Sequence, residues 1–451
     1  MPAAASTVAA RKRFGPATTV LVGYGAVVGS GFALLSLPIA KVGPGGAAVL
    51  DALFTSISAV SVTGLTTVGT AEHWTLFGQA VILLLVQTGG LGIMTLASLI
   101  GLAVARRLSL GSKLSTSAET QGVGLADIRR FITGAIVVSL SVEAIGAVVL
   151  TVWFATASGY PPATAAWYGL FHAVSAFNNA GFTILPRGLV PFVGDPVVCL
   201  VLSALVLIGS LGFPVLDELR RYPRTPLRWS MNTRLVLWGT AVLTVVGMVF
   251  ITAVEWARAG TFGPLDWPTK LLAGFFAAAQ TRSGGFTTVD IGGFDGASLI
   301  VIDVLMFIGG GPAGTAGGIK ITTFGVLFFI LIAEMRGRAA VNVFGKRLSR
   351  AVHRQAITVS LVAVGVIIGS TIALALLSDE PVDRLAFEAV SAFATAGLST
   401  GITAYLPPAA QALLLLLMFA GRLGPILLAS ALAVRTRPLT YEFPKERPII
   451  G

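Results

Sequence analysis

A phenylalanine, a step of ten residues to a glycine, and a hydroxyl residue two places further on recur four times in this sequence. The stretches run from Phe54 to Gly64, Phe171 to Gly181, Phe275 to Gly285 and Phe387 to Gly397, at intervals of 117, 104 and 112 residues. Each lead-in is small and apolar enough for a short helix, and the glycine lets the backbone leave it through angles other residues avoid. Four such bends could aim backbone carbonyls at one axis. Carbonyl oxygens can replace the hydration shell of a cation without burying charge. The candidate residues are Val62, Thr63 and Gly64; Asn179, Ala180 and Gly181; Ser283, Gly284 and Gly285; Thr395, Ala396 and Gly397. Thr63, Asn179 and Ser283 add neutral polar groups at the mouth. A site with no acidic ring favours a large monovalent ion such as K⁺ over Ca²⁺. Thr-Val-Gly-Tyr-Gly is absent, and one glycine per stretch implies a short filter.

The elements that must position these bends are long and apolar. First runs lie near 17–40, 131–157, 234–257 and 355–378, and second runs near 76–105, 192–216, 298–333 and 407–434. Each reaches the length of about 20 residues that spans a bilayer. The stretches between them have about 14 and are too short to cross, so they fit re-entrant helices lining something central. With 55% hydrophobic residues, 11% charged residues and a mean hydropathy of +0.87, the chain reads as a polytopic membrane protein. Soluble domains carry about 25% charge.

The net charge of +11 does not point to nucleic acid, because of where it sits. Most Lys and Arg residues fall at 11–13, 106–130, 220–234, 336–354 and 435–447, after each second run. The opposite loops carry Glu72, Asp195, Asp266, Asp290, Asp295, Asp379, Glu380 and Asp383. The positive-inside rule then puts both termini in the cytoplasm and opens the bends from outside.

The second runs share Gly89–Gly92, Gly209–Gly212 and Gly421–Gly424, at a similar distance beyond each bend. The third has instead Gly309, Gly310, Gly311, Pro312, Ala313, Gly314, Thr315, Ala316, Gly317 and Gly318, closed by Lys320. Such a run cannot form a helix interior. It reads as a loop between two half-helices, able to block a path beneath the bends. Lys320 would reach an acidic partner or the cytoplasmic interface. Arg422 lies mid-span, where insertion costs about 2.5–3.5 kcal/mol, so it should face water or a carboxylate. Asp51 and Glu388 stand near the starts of their short helices, where a carboxylate favours the helix dipole. Glu143 and Asp303 are further intramembrane acids. Cys199 is the one cysteine, His73, His172 and His353 lie far apart, and no set of side chains converges on catalysis.

Taken together, the four bends, the 309–318 loop and Arg422 resemble the Trk/Ktr/HKT superfamily of K⁺ transporters over nearly the whole chain. The first repeat stands at the start of the sequence and the tail 441–451 is short, which is more similar to the KtrB type than to the TrkH type. The resemblance implies an all-α polytopic fold of four M1–pore loop–M2 repeats, with eight transmembrane helices and four pore helices in pseudo-fourfold arrangement. The parts are a cytoplasmic segment 1–16, repeats at 17–130, 131–233, 234–354 and 355–440, and a tail 441–451 at a dimer interface. It further implies a homodimer in the plasma membrane of a prokaryote and a gate at 309–318. K⁺ would be the transported ion and Na⁺ an activating one. Nucleotide would act only through a cytosolic RCK-type ring subunit similar to KtrA, because segments such as 217–233 and 334–354 are too short to fold such a domain. A TrkH-like transporter with proton coupling or Na⁺/K⁺ permeation is the alternative. An inverted-repeat secondary transporter fits less well, because each repeat starts and ends inside.

Overall fold

The computed structural model describes residues 16–92, 125–338 and 340–434, with side chains from 21, 132 and 340 onward in the three segments and none beyond 424. The segment 1–15, the basic stretch 106–113 and the tail 441–451 lie outside the described residues.

The described chain is mostly helical. The first group is α1 (Pro16–Leu35), α2 (Val49–Ser61), α3 (Thr70–His73) and α4 (Leu76–Gly92). The second is α5 (Leu125–Thr156), α6 (Pro162–Phe177), α7 (Pro196–Leu211) and α8 (Phe213–Arg221). The third is α9 (Met231–Glu255), α10 (Trp267–Gln280), α11 (Gly296–Phe307) and α12 (Ile321–Met335). The last is α13 (Arg350–Leu377), α14 (Val382–Ala394) and α15 (Pro408–Val434). A two-stranded hairpin, Asn342–Val343 against Lys346–Arg347, carries part of the third basic cluster.

Among the described residues, three helical stretches are long and apolar enough to cross a membrane: Ile132–Thr156, Met231–Glu255 and Arg350–Leu377. They turn many apolar side chains outward, including Ile145, Val148, Val249 and Leu361, as lipid-facing helices do. By contrast α2, α6, α10 and α14 have 13, 16, 14 and 13 residues. At 1.5 Å per residue none of them covers a hydrocarbon core of about 30 Å. Their C-terminal halves are buried, with Phe54, Phe171 and Phe387 fully enclosed.

The sequence leads one to expect a break in the third group, and α11 does stop at Phe307 and resume as α12 at Ile321. A second break is new. The run near 192–216 is not continuous: α7 and α8 meet at 96° about Gly212, whose φ is +89°. A Cβ on Gly212 would collide with Pro312 O and lie 3.1 Å from Gly314 N. The 309–318 loop thus occupies the place a straight α7 would enter.

The glycines of the second runs are packing glycines. A Cβ on Gly89, Gly209 or Gly421 would overlap the carbonyl oxygen of Val60, Phe177 or Phe393, each four residues before the glycine of its bend. The Cβ of a substituted Gly424 would meet nothing within 4 Å. Gly421→Ala is therefore expected to lower stability by about 1–3 kcal/mol. Gly424→Ala should be neutral or stabilise by up to about 1 kcal/mol. Thermal unfolding in detergent checks the pair, and equal effects would remove this account of the motif.

Candidate functional site

Each short helix ends at, or within three residues of, a residue held in the left-handed region two places before the glycine. Val62, Asn179, Ser283 and Thr395 have φ of 55°, 60°, 66° and 46°, and Gly64, Gly181, Gly285 and Gly397 have 89°, 69°, 71° and 79°. A non-glycine residue there costs about 1–3 kcal/mol and persists only when its surroundings fix it. In the first, second and fourth stretches the fixing pattern is the same. The left-handed residue donates its NH to the carbonyl three back: Val62 to Ala59 (3.1 Å), Asn179 to Ala176 (3.0 Å) and Thr395 to Ala392 (3.2 Å). The next residue donates to the carbonyl five back: Thr63 to Ser58, Ala180 to Ser175 and Ala396 to Ser391, each at 2.8 Å. These are Schellman caps. The third differs: Gly284 N reaches only to Gln280 O, at 2.8 Å.

The four bends close into a ring. A Cβ on Gly181 would lie 3.0 Å from Gly284 O, and one on Gly285 would lie 3.1 Å from Ala396 O. One on Gly397 would overlap Thr63 O, and one on Gly64 would overlap Ala180 O. The carbonyls of Thr63, Ala180, Gly284 and Ala396 therefore each reach the neighbouring glycine, in the cyclic order first, second, third, fourth. The Thr63 hydroxyl is buried against Ser61 Oγ at 2.7 Å.

The 309–318 loop lies against the same bends. Thr315 Oγ1 stands 2.7 Å from Asn179 Oδ1, and Gly317 N donates to Ser283 Oγ at 3.2 Å. A Cβ on Gly317 would strike Thr395 Oγ1 and Ala394 O. The loop also rests on the broken end of α7. Gly311 N donates to Ser210 O (2.7 Å), Thr315 N to Gly209 O (3.2 Å), and Phe213 N returns a bond to Ala313 O (3.3 Å). The loop's own side chains contribute little beyond Thr315, but its backbone is bonded both to main chain and to side chains around it.

Two buried guanidinium groups brace it. Arg422, 4% exposed, donates through Nη1 to Thr315 O. Arg282, 1% exposed, donates to Ile308 O at 3.2 Å and Gly309 O at 3.1 Å, and lies 3.4 Å from Gly239 O on α9. Neither has a carboxylate partner among the described residues. Of the two partners expected for Arg422, water or an acid, the acid is corrected: among the described residues a loop carbonyl takes one arm of the guanidinium instead. Lys320 likewise turns back on the loop, its Nζ donating to Ala316 O at 2.6 Å, in place of an acidic partner.

A model of the TrkH family, described as cation transport protein, matches residues 43–436. The chain belongs to that family. It is 34% identical to the Ktr system potassium uptake protein B of Bacillus subtilis (strain 168), over 97% of both chains. It is 35% identical to the protein of that name from Vibrio alginolyticus, over 93% of this chain and 91% of that one. The potassium/sodium uptake protein NtpJ of Enterococcus hirae is 31% identical over 98% of both. The crystal structure of the potassium transporter TrkH from Vibrio parahaemolyticus superposes with a TM-score of 0.71, covering 95% of this chain and 86% of that one at 18% identity, which speaks for the fold. These relatives are transporters, and none is an enzyme.

Within this family member the structure gathers all twelve bend residues and the 309–318 loop at one place. Arg422 joins them. Glu388 is relocated: it sits in the middle of α14, not near its start, and faces the strand beyond Gly397. Asp51 does lie in the first turn of α2, where it accepts from Thr67 Oγ1 at 2.7 Å. Glu143 accepts from Gln87 (3.2 Å) and Asn178 (3.0 Å). Sequence reasoning gives Arg282 no role; the available signal is a charge inside a segment too short to leave the membrane. Replacing Arg282 by Met leaves buried carbonyls without a donor, at about 1–3 kcal/mol. Expected are lower stability and faster amide exchange at Gly311 and Thr315, read by hydrogen exchange. Unchanged exchange would mean that Arg282 does not brace the loop.

Proposed function

We propose that this chain is the ion-conducting membrane subunit of a K⁺ uptake system. The observation that carries the reading is the closed ring of the Thr63, Ala180, Gly284 and Ala396 carbonyls about four left-handed glycines. Oxygens without charge, held by strained but capped backbone, suit a dehydrated monovalent cation. The names of the relatives, two potassium uptake proteins and a potassium/sodium uptake protein, support the same cargo. In this reading four M1–pore loop–M2 repeats surround one pore, and α2, α6, α10 and α14 are the pore helices. Residues 62–64, 179–181, 283–285 and 395–397 form the selectivity filter, with K⁺ at its carbonyls. Residues 309–318 with Lys320 form the gate beneath it, and Arg422 is a pore charge.

The remaining parts of the reading rest on the family resemblance. Two copies form a homodimer in the plasma membrane, with both termini cytoplasmic and the tail 441–451 at the interface. A cytosolic RCK-type ring subunit binds nucleotide and acts on the basic surface at 334–354. Na⁺ stimulates uptake. The Bacillus subtilis relative is named as a protein of a Ktr system, which supports a multi-subunit assembly.

Gly64→Ser and Gly397→Ser are expected to lower the K⁺/Na⁺ flux ratio about tenfold, the equivalent of about 1.4 kcal/mol. Their Cβ atoms would displace the Ala180 and Thr63 carbonyls. Rubidium and sodium tracer uptake into liposomes, with and without Na⁺, measures the ratio. An unchanged ratio in folded protein would sink the filter reading.

Deleting 313–316 removes the loop's bonds to Gly209, Phe213 and Arg422, leaving that of Gly311 to Ser210, and takes out no filter residue. It is expected to raise rubidium flux and to loosen its dependence on any cytosolic partner, with the ratio preserved. Each lost bond is worth about 0.5–1.5 kcal/mol and several are lost together, so a rise of about tenfold is within reach. Lower flux from folded deletion protein would make the loop a scaffold.

A further inference from the structure

Behind the four bends the pore helices treat the outgoing strands unequally. One place beyond Phe54, Phe171, Phe275 and Phe387 stand Thr55, His172, Phe276 and Glu388. In the second repeat His172 is fully buried and spans from helix to strand. Its Nδ1 lies 2.7 Å from Tyr168 O and must donate, since a carbonyl only accepts; Nε2 of the neutral ring then accepts from Thr183 Oγ1 at 2.9 Å. Thr183 is two places beyond Gly181. In the fourth repeat Glu388, also fully buried, does the same with a carboxylate. Its Oε1 accepts from Ser399 Oγ (2.7 Å) and Thr400 N (2.9 Å), and its Oε2 from Thr403 Oγ1 (2.5 Å). Ser399 is two places beyond Gly397. The first repeat uses a longer route, Thr67 to Asp51. The third has Phe276 there. Among the described residues no side chain of α10 bonds to its strand, and Thr287 and Thr288 border a small apolar cavity of about 20 Å³ that Phe276 also lines.

We infer that His172 and Glu388 are positioning residues for selectivity, anchoring two opposite quarters of the filter from behind, while the third quarter carries no such anchor. This rests on the filter reading above. The ring order puts the second and fourth repeats across from one another, so the two anchors oppose along one diagonal. A smaller ion such as Na⁺ is coordinated only if the carbonyls move inward. A strand bonded to its own pore helix two residues beyond the glycine resists that movement; a strand free behind does not. His172 also packs on the third repeat's Phe286, with ring centroids 6.3 Å apart, and so supports the unanchored strand at its root.

The test uses the full-length protein in liposomes, reading rubidium and sodium tracer uptake. His172→Phe copies the third repeat's residue with similar volume, and Glu388→Leu removes the acceptor. Each is expected to lower the K⁺/Na⁺ ratio about tenfold, the worth of about 1.4 kcal/mol of lost hydrogen bonding. Glu388→Gln, which keeps one acceptor, should fall between. A lower flux of both ions with the ratio intact would mean support of the fold only and would overturn the inference. Gly181→Ser is measured alongside. If it shifts the ratio and the anchor variants do not, the anchors fail and the filter reading stands; if none shifts it, the filter reading fails. Phe276→His covers the case in which the anchor variants misfold. It places an imidazole opposite Thr287, beside existing space, and should raise the ratio; an unchanged or lower ratio counts against the anchors.

Discussion

A backbone polar group in hydrocarbon must find its partner within the protein, and this structure is arranged around that constraint. Helices α7 and α11 both break inside the apolar layer. Each break frees carbonyls and amides that cannot turn to lipid. The two breaks satisfy one another: Gly311 and Thr315 donate to Ser210 and Gly209, and Phe213 donates back to Ala313. What remains is met by Arg282 at the loop's entry and Arg422 further along it. Burying two guanidinium groups without carboxylates is costly in isolation. Here the carbonyls of Ile308 and Gly309 take Arg282 and that of Thr315 takes one arm of Arg422, groups that would otherwise be unpaired, which offsets part of the cost; Nε of both and Nη2 of Arg422 meet no partner among the described residues.

The same need for partners explains why strained backbone survives in the four bends. Val62 and Thr395 are β-branched and held left-handed, a conformation such residues rarely adopt. Paired caps from the preceding helix fix three of the four bends, and the neighbouring bend closes the space on the far side. A Cβ on any of the four glycines meets backbone from the next stretch. The ring is thus set by contact between repeats as much as by any one of them. The third bend has the weakest cap and continues, one helix later, into the loop that lies against the others.

Much of this is legible in the sequence because glycine has few reasons to recur in register. The four bends, the buried short helices and the broken third helix follow from glycine and length alone. The Gly212 bend is easily missed, because its motif matches Gly89–Gly92 and Gly421–Gly424; Pro214, which cannot donate to Ser210 O, and the space taken by the loop together favour the turn there. Arg282 is hidden for the opposite reason. It has no repeat counterpart, and its partners are main-chain carbonyls at 239, 308 and 309, which leave no mark in side-chain identity. Counting from the apolar run puts Glu388 at a helix start, whereas α14 begins at Val382 and puts it mid-helix.

The bonding of the loop limits how it can move. Each backbone bond to α7 contributes about 0.5–1.5 kcal/mol net, so losing the three between them costs a few kcal/mol unless new partners appear. Were the loop to leave the ring, Gly209 O and Ser210 O would lose their donors. Water entering behind it can hydrate both carbonyls and the charges of Arg282 and Arg422. Displacement would therefore favour wetting, and wetting would stabilise displacement. Such coupling makes intermediate positions costly, because a half-shifted loop has lost its protein partners without admitting enough water to replace them. A force applied at α12, which begins directly after Lys320, would act on the end of the loop tied by Lys320 to Ala316 O and by Ser283 to Gly317 N.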